Sequence, residues 1–401
     1  MGMSMTHHIS NKMFSLTQKN SAVREMFEEG NRLAALYGRE NVYDFSLGNP
    51  YFPAPEKVKD SIFDILENES STMVHGYMSN AGYPDVRDAV AKSLNGRFGT
   101  SYGSDNILMT VGAAGGLNVI LKTLLNPGDE VIALAPFFLE YGNYVGNYDG
   151  VLVVVPANTE NFQPDAGAIE KAVTAATKAL IINSPNNPTG VIYSADTIKK
   201  IASVLEAKEK EYGHPIFIIA DEPYRELAYD GAEVPWLAKF YRNTVVGYSW
   251  SKSLSLPGER IGYLVIPSEI DDYELVFTAA SIANRVLGFV NAPSLMQRAV
   301  ARCLDESTDI GAYDSNRKLL YNGLREAGFE CAYPQGAFYM WLKTPCGDRE
   351  FCEKAKKYNI LIVPGTSFSC PGYARIAYCV GAKTIEGALP GFRKLAEELS
   401  L

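Results

Sequence analysis

The sequence predicts an α/β fold: a doubly wound, mainly parallel seven-stranded sheet with a smaller α+β domain beside it. Three observations carry this. Between residues 56 and 290, apolar runs at 107–111, 131–134, 151–155, 179–183, 216–220, 244–248 and 262–266 alternate with helical stretches at roughly 115–125, 165–176 and 194–211. Such alternation builds βαβ units and a parallel sheet. After residue 290 the pattern changes: helices at about 294–305 and 312–327, short runs at 329–333, 338–342, 360–363 and 374–379, and a final helix at about 384–399. A chain of 401 residues is also too long for one small core. The expected division is 1–55 as N-terminal arm and part of a small domain, 56–290 as a large domain, and 291–401 as the small C-terminal domain.

Composition narrows the function classes. Hydrophobic residues make up 47% and charged residues 21%, as in an ordinary globular protein. A net charge of −9 argues against a nucleic-acid partner, which requires a basic face. Six cysteines form no C-x-x-C pair and there are four histidines, so neither a metal site nor a disulfide framework is expected. Reduced thiols point to the cytoplasm. Met1–Asn20 is polar without a signal-peptide core, and no run of about 18 apolar residues suggests a membrane span.

Taken in order, residues 21–40 carry a helical pattern in Val23, Met26, Phe27, Leu33, Ala34 and Leu36. Val42–Leu47 reads as a short strand ending in Gly48-Asn49-Pro50. Gly48 either admits a ligand close to the backbone or merely turns the chain. In a doubly wound sheet, ligands sit beyond the carboxyl ends of the strands, so the residues after each run are the candidates. After 107–111 comes Gly112-Ala113-Ala114-Gly115-Gly116 opening a helix, which suits an anion or close helix packing. It has neither the dinucleotide fingerprint nor the P-loop lysine. After 131–134, Phe138 follows Pro136 and would cover a flat ring or fill core. After 179–183, Asn187 lies in Asn186-Asn187-Pro188-Thr189-Gly190, placed to meet a ring hydroxyl or to bond its own turn.

After 216–220 comes Asp221-Glu222-Pro223-Tyr224. A carboxylate ending so apolar a strand must be paired or hydrogen-bonded; a pyridinium nitrogen or a helix N-terminus would serve. After 244–248, which has the look of a buried parallel strand, comes Ser249-Trp250-Ser251-Lys252, with Arg260 eight residues beyond the lysine. Serines and an arginine around one lysine make a phosphate nest with an amine beside it, where a phosphate-anchored aldehyde would form a Schiff base. A surface lysine in a Ser-rich loop has the same local sequence. Arg375 stands between apolar neighbours in 373–378, and a buried arginine there needs a carboxylate, the protein's own or a substrate's.

The whole order, Gly-Ala-Ala, Pro-x-Phe, Asn-Asn-Pro-Thr-Gly, Asp-x-x-Tyr, Ser-x-Ser-Lys with Arg eight on, and a late Arg-Ile-Ala, resembles the class I/II aminotransferases. These are pyridoxal-phosphate enzymes of fold type I, similar to aspartate aminotransferase. The resemblance runs from Gly48 to Arg375. It implies Lys252 as the cofactor-bearing lysine and proton carrier, and Asp221 on the pyridine nitrogen. Asn187 and Tyr224 would sit on the ring oxygen and Phe138 on the ring face. Ala113, Ala114, Ser249, Ser251 and Arg260 would hold the phosphate, and Gly48 and Arg375 the substrate carboxylate. Tyr77 matches a tyrosine that reaches the neighbouring subunit's phosphate, so a homodimer with shared sites is implied. The activity implied is ping-pong transfer of an amino group from an L-amino acid, aspartate or similar, to a 2-oxo acid, 2-oxoglutarate foremost. Ala114 stands where one aspartate-specific subgroup has a lysine for the distal carboxylate, so Arg285 becomes the candidate for that contact. A C–S β-lyase shares the early chemistry. A ligand-sensing regulator on the same fold and a nicotinamide dehydrogenase are further alternatives. The first would need room for a DNA-binding domain, the second a G-x-G-x-x-G.

Overall fold

The structure of the protein, a computed structural model, describes residues 8–18 and 22–401. The first long helix is Ala22–Tyr37, with Met26 and Leu33 buried. Leu36 is exposed because it falls about 80° round the helix from Met26. The side chains of Val23 and Phe27 lie outside the described ones.

Strand β1 (Tyr43–Asp44) is followed by β2 (Ile107–Thr110), β3 (Glu130–Leu134), β4 (Val151–Val155), β5 (Thr177–Asn183), β6 (Phe217–Asp221), β7 (Thr244–Ser249) and β8 (Gly262–Val265). The last seven form one sheet in the order β2-β8-β7-β6-β5-β3-β4. Four pairings are parallel, and β8 runs antiparallel to both its neighbours. Along β6, Ile218 and Ala220 enter one apolar cluster while Phe217 and Ile219 enter the other. Both faces are covered, so the strand reads as an unbroken apolar run. Each buried isoleucine contributes roughly 1.5–3 kcal/mol, and Asp221 closes the run as the exception.

The helices Glu56–Asn68, Pro84–Phe98 and Tyr273–Val286 lie in the same part of the chain and were not among the helical stretches expected there; only Pro84–Phe98 lacks a clear apolar periodicity. In Pro84–Phe98 the buried face includes Arg87, whose Nη1 donates to the Ser104 carbonyl at 3.1 Å. That charge interrupts the apolar stripe by which a helix is recognised.

Beyond residue 330, β9 (Cys331–Ala332), β10 (Tyr339–Lys343), β11 (Ile360–Leu361), β12 (Val363–Pro364) and β13 (Tyr373–Ala377) follow. Four of them form an antiparallel sheet, β12-β13-β10-β9, over a separate apolar cluster. β1 pairs in parallel with β11, and the Ala377 amide donates to the Phe45 carbonyl at 2.9 Å. These bonds carry Ser46–Gly48 alongside Arg375. No described helix is long and apolar enough to cross a membrane. All six cysteines are free thiols.

Candidate active site

Parallel register brings three strand ends to one level: Asn183 stands opposite Asp221, and Asp221 opposite Gly247, two residues before Ser249. A cavity of about 300 Å³ opens there, and the Gly48, Arg260 and Arg375 segments complete its wall.

Lys252 follows β7 in a single helical turn, Trp250–Ser253, whose start is capped by Ser249 Oγ accepting from the Ser251 amide at 3.1 Å. The turn points Nζ inward, where it donates to the Gly48 carbonyl at 2.7 Å. The ring centroids of Phe338 and Tyr224 lie 5.4 and 5.9 Å away. Burial, aided by the Arg375 and Arg260 charges, lowers the amine to about 8. A neutral, nucleophilic amine is therefore within reach near physiological pH.

Asp221 is buried at the end of β6. Its Oδ2 accepts from the Tyr141 hydroxyl at 2.6 Å, while its Oδ1 has no partner among the described residues. Burial pushes the carboxyl up to about 6, despite the Tyr141 hydrogen bond. The adjacent Glu222 is different: its Oε2 accepts from Arg225 Nε at 2.6 Å in a buried ion pair. Among the described residues, each carboxylate leaves one buried oxygen without a partner, Asp221 Oδ1 and Glu222 Oε1, but only Glu222 has a cation beside it. Asn183 braces this corner, donating to the Asp221 carbonyl at 2.8 Å and accepting from the Asn187 amide at 2.7 Å.

On the β2 side, the helix Gly112–Leu124 begins with Gly112 at φ 69°. Ala113 and Ala114 put its first turn on the cavity wall, where unpaired amides favour an anion. Gly112 leaves room for Arg260: a Cβ there would lie 3.0 Å from Arg260 Nη2. Arg260 itself holds left-handed backbone, φ 53°, a strain of order 1–3 kcal/mol. Its Nη1 donates to the Pro257 carbonyl at 2.9 Å, and no carboxylate pairs with it among the described residues. The Ser249 and Ser251 hydroxyls are 2.6 Å apart beside it.

Arg375 is buried on β13. Its Nη2 donates to the Ser46 carbonyl at 2.6 Å and its Nη1 to Asn187 Oδ1 at 3.1 Å. The guanidinium lies 4.7 Å from the Tyr339 ring centroid and 4.8 Å from that of Phe368. No carboxylate of the described residues reaches it, and its Nε has no partner. A Cβ on Gly48 would overlap Tyr339 Oη, so a larger residue there would require the Tyr339 side chain to move.

Twelve of the fourteen residues singled out in the sequence line this one cavity; Tyr77 and Arg285 do not. Tyr77 is 93% exposed. Arg285 is exposed in the last turn of Tyr273–Val286, without an ion pair among the described residues. Tyr141, Asn183, Tyr339 and Phe368 went unrecognised. Asn183 ends its strand, as Asp221 does, and that position is a usable signal. The three aromatics carry no sequence mark that separates them from core.

A family model described as aminotransferase class I and II matches residues 40–390. The chain belongs to that family. It is 30% identical over 379 residues to the probable aspartate/prephenate aminotransferase of Thermus aquaticus, covering 93% of this chain and 94% of that one. A crystal structure of an amino transferase from Eubacterium rectale is 47% identical, with a TM-score of 0.97 over 99% of this chain and 100% of that one. The Thermus thermophilus aspartate aminotransferase with maleate is 26% identical, with a TM-score of 0.85 over 97% and 100%. The protein is thus a pyridoxal-phosphate-dependent aminotransferase of fold type I, acting on amino acids and 2-oxo acids. These matches favour the transaminase over the lyase, regulator and dehydrogenase alternatives.

Because burial disfavours the ammonium form, Lys252 in the cofactor-free protein should be acylated with a midpoint near pH 8. Exposed lysines should follow the ordinary midpoint of about 10.4. Competitive labelling read by peptide mass measures both in one sample. A Lys252 midpoint at the ordinary value would refute the buried amine.

Proposed function

We propose that this aminotransferase moves the amino group of L-aspartate or a similar L-amino acid to 2-oxoglutarate by a ping-pong mechanism. The observation that carries the reading is Arg375, a buried cation in the cavity with an unpartnered Nε and no carboxylate of its own. A substrate α-carboxylate supplies the missing partner in bidentate geometry. The residues also fit pyridoxal phosphate. The orphaned Asp221 Oδ1 suits a protonated ring nitrogen, and Asn187 and Tyr224 suit the ring oxygen. Phe138 covers a ring face, and Ala113, Ala114, Ser249, Ser251 and Arg260 suit the phosphate.

Bound there, pyridoxal phosphate supplies an aldehyde for the amino group and a ring that accepts electrons from the substrate α-carbon. The chain supplies the rest. Lys252 is the nucleophile that holds the cofactor and the base that moves the α-proton. Asp221 keeps the ring nitrogen protonated, since an opposite charge in contact favours the charged form. Arg375 and Gly48 fix the α-carboxylate so that the α-proton faces Lys252. Ping-pong order follows, because the amino group stays on the enzyme between the two substrates.

The same reading makes the active unit a homodimer and places it in the cytoplasm, with large and small domains divided near residues 55 and 290. The dimer is supported by an exposed face around the Tyr77 segment. Asn284 Nδ2 donates to the Asn80 carbonyl at 2.9 Å, and Asn291 Nδ2 to the Ser79 carbonyl at 2.7 Å. These bonds tie the Tyr77 segment to the end of the Arg285 helix. Met73, Ile282, Val286 and Val290 are exposed on the same segments. Exposed apolar side chains on such segments suit an interaction face. The three cations on the cavity wall, Lys252, Arg260 and Arg375, already have roles. A distal carboxylate therefore needs a cation from outside, and Arg285 of the partner subunit fits.

With L-aspartate and 2-oxoglutarate the protein should yield oxaloacetate and glutamate with parallel-line kinetics. Lys252→Ala should lose at least about 10³-fold in kcat. Borohydride trapping should mark residue 252 in the wild type. Pyruvate and ammonia released without an acceptor would identify a lyase instead.

Mixing inactive Tyr77→Ala with inactive Lys252→Ala should restore activity, since one site of each hybrid dimer keeps both residues. Full subunit exchange without recovery would reject the shared site.

Arg285→Ala should lower kcat/KM for aspartate and glutamate by roughly 30- to 1,000-fold, as expected for a desolvated bidentate contact of about 2–4 kcal/mol. Alanine and aromatic amino acids should be nearly unaffected. An equal loss on all substrates would reject Arg285 as the selector. No wild-type activity on either dicarboxylate would reject the substrate class.

A further inference from the structure

Tyr339 has no part in the roles assigned so far, yet it touches the groups that meet cofactor and substrate. It stands on β10, where Tyr339 pairs with Ala377 and Trp341 with Arg375. Tyr339 and Arg375 are therefore diagonal neighbours on one face of the sheet, which stacks the guanidinium on the phenol ring. The ring is buried, and its hydroxyl lies 2.9 Å from that of Tyr224 and directly over the Gly48 Cα.

Two phenols at that distance share one proton, so one donates and the other accepts. If Tyr224 gives its proton to Tyr339, it has none for a ligand. The other charged or titratable groups around Tyr339 are Arg375 and Cys379. Arg375 has no lone pair to accept with, and Cys379, whose thiol donates to the Leu47 carbonyl at 3.6 Å, makes no hydrogen bond to the Tyr339 hydroxyl. Lys252 is turned to the Gly48 carbonyl. The acceptor in hydrogen-bond reach of the Tyr339 proton is Tyr224 Oη. We infer that Tyr339 is a positioning residue: its hydroxyl donates to Tyr224 and so turns the Tyr224 proton toward the ring oxygen of the cofactor. This rests on the role proposed for Tyr224. A chain of donors also strengthens its last member, by roughly 10–30% per bond.

The test is a spectroscopic pH titration of the cofactor-loaded protein without substrate, on wild type, Tyr224→Phe, Tyr339→Phe and the double variant. Phenylalanine keeps the ring that stacks on Arg375, and melting curves check that each variant is folded. A donor to an anionic oxygen favours the deprotonated form, so Tyr224→Phe should raise the midpoint of the visible transition by about one unit or more. Tyr339→Phe should raise it by a fraction of that. The double variant should match Tyr224→Phe to within about 0.3 unit, because Tyr339 acts only through Tyr224. Additive shifts, or no shift in Tyr339→Phe, would overturn the role of Tyr339 alone. No shift in Tyr224→Phe would overturn the role of Tyr224 and this inference with it. A purely structural Tyr339 would change melting and leave the midpoint in place.

Discussion

The half-paired carboxylate of Asp221 is the constraint around which the site is built. β6 delivers it into apolar surroundings, and Tyr141 satisfies one oxygen only. A carboxyl raised from 3.8 to about 6 binds its proton more tightly folded than unfolded. Its cost is absent below pH 4, grows up to pH 6, and is full at neutrality, where it amounts to about 3 kcal/mol. Lys252 mirrors it. An amine lowered from 10.5 to about 8 costs a similar amount below pH 8 and nothing above the ordinary range. At neutral pH the two costs together are a sizeable share of the 5–15 kcal/mol by which a folded domain is stable. A cofactor bound as proposed would offset both: a protonated ring nitrogen would pair Asp221, and the covalent link would remove the buried free amine.

The contrast with Glu222 shows that this is selective. One residue along the same chain, Arg225 neutralises a carboxylate at equal depth, and its guanidinium packs 5.0 Å from the Phe98 centroid and 4.9 Å from that of Trp236. Removing one partner of such a pair costs about 3–5 kcal/mol. The protein therefore satisfies buried charge where charge is structural. It leaves Asp221, Arg260 and Arg375 without charge partners on the wall of one cavity.

Much of this was legible in the sequence because doubly wound sheets place chemistry at strand ends, and a strand end is visible as the first polar residue after an apolar run. Asp221, Asn187, Lys252 and Gly48 were singled out beyond strand ends, and Arg375 by standing between apolar neighbours; the folded chain brings all five to one cavity. Tyr141 and Tyr339 were not, because an aromatic in an apolar stretch looks the same whether its hydroxyl meets a carboxylate or its ring merely fills space. The hydroxyl's partner lies 80 residues away for Tyr141 and 115 for Tyr339, and only the folded chain brings them together. The Pro84–Phe98 helix escaped for the opposite reason: Arg87 is buried there by carbonyl contacts that periodicity cannot anticipate.

Charge distribution explains how an acidic chain receives acidic ligands. The net charge is −9, yet the cavity wall gathers Lys252, Arg260 and Arg375 around the single carboxylate of Asp221. Low-dielectric walls strengthen that local field, whereas the scattered surface acids are screened beyond about 10 Å at ordinary salt. In the proposed roles, phosphate at Arg260 and α-carboxylate at Arg375 would use up two cations, and cofactor attachment would occupy the third. What remains in one subunit is apolar wall around Leu117, Leu139 and Phe368. A second carboxylate on the substrate would have no partner there, and burying it unpaired is prohibitive. On the proposed dimer, discrimination between dicarboxylic and apolar amino acids would then come from across the subunit boundary, by a cation that one chain presents and the other uses.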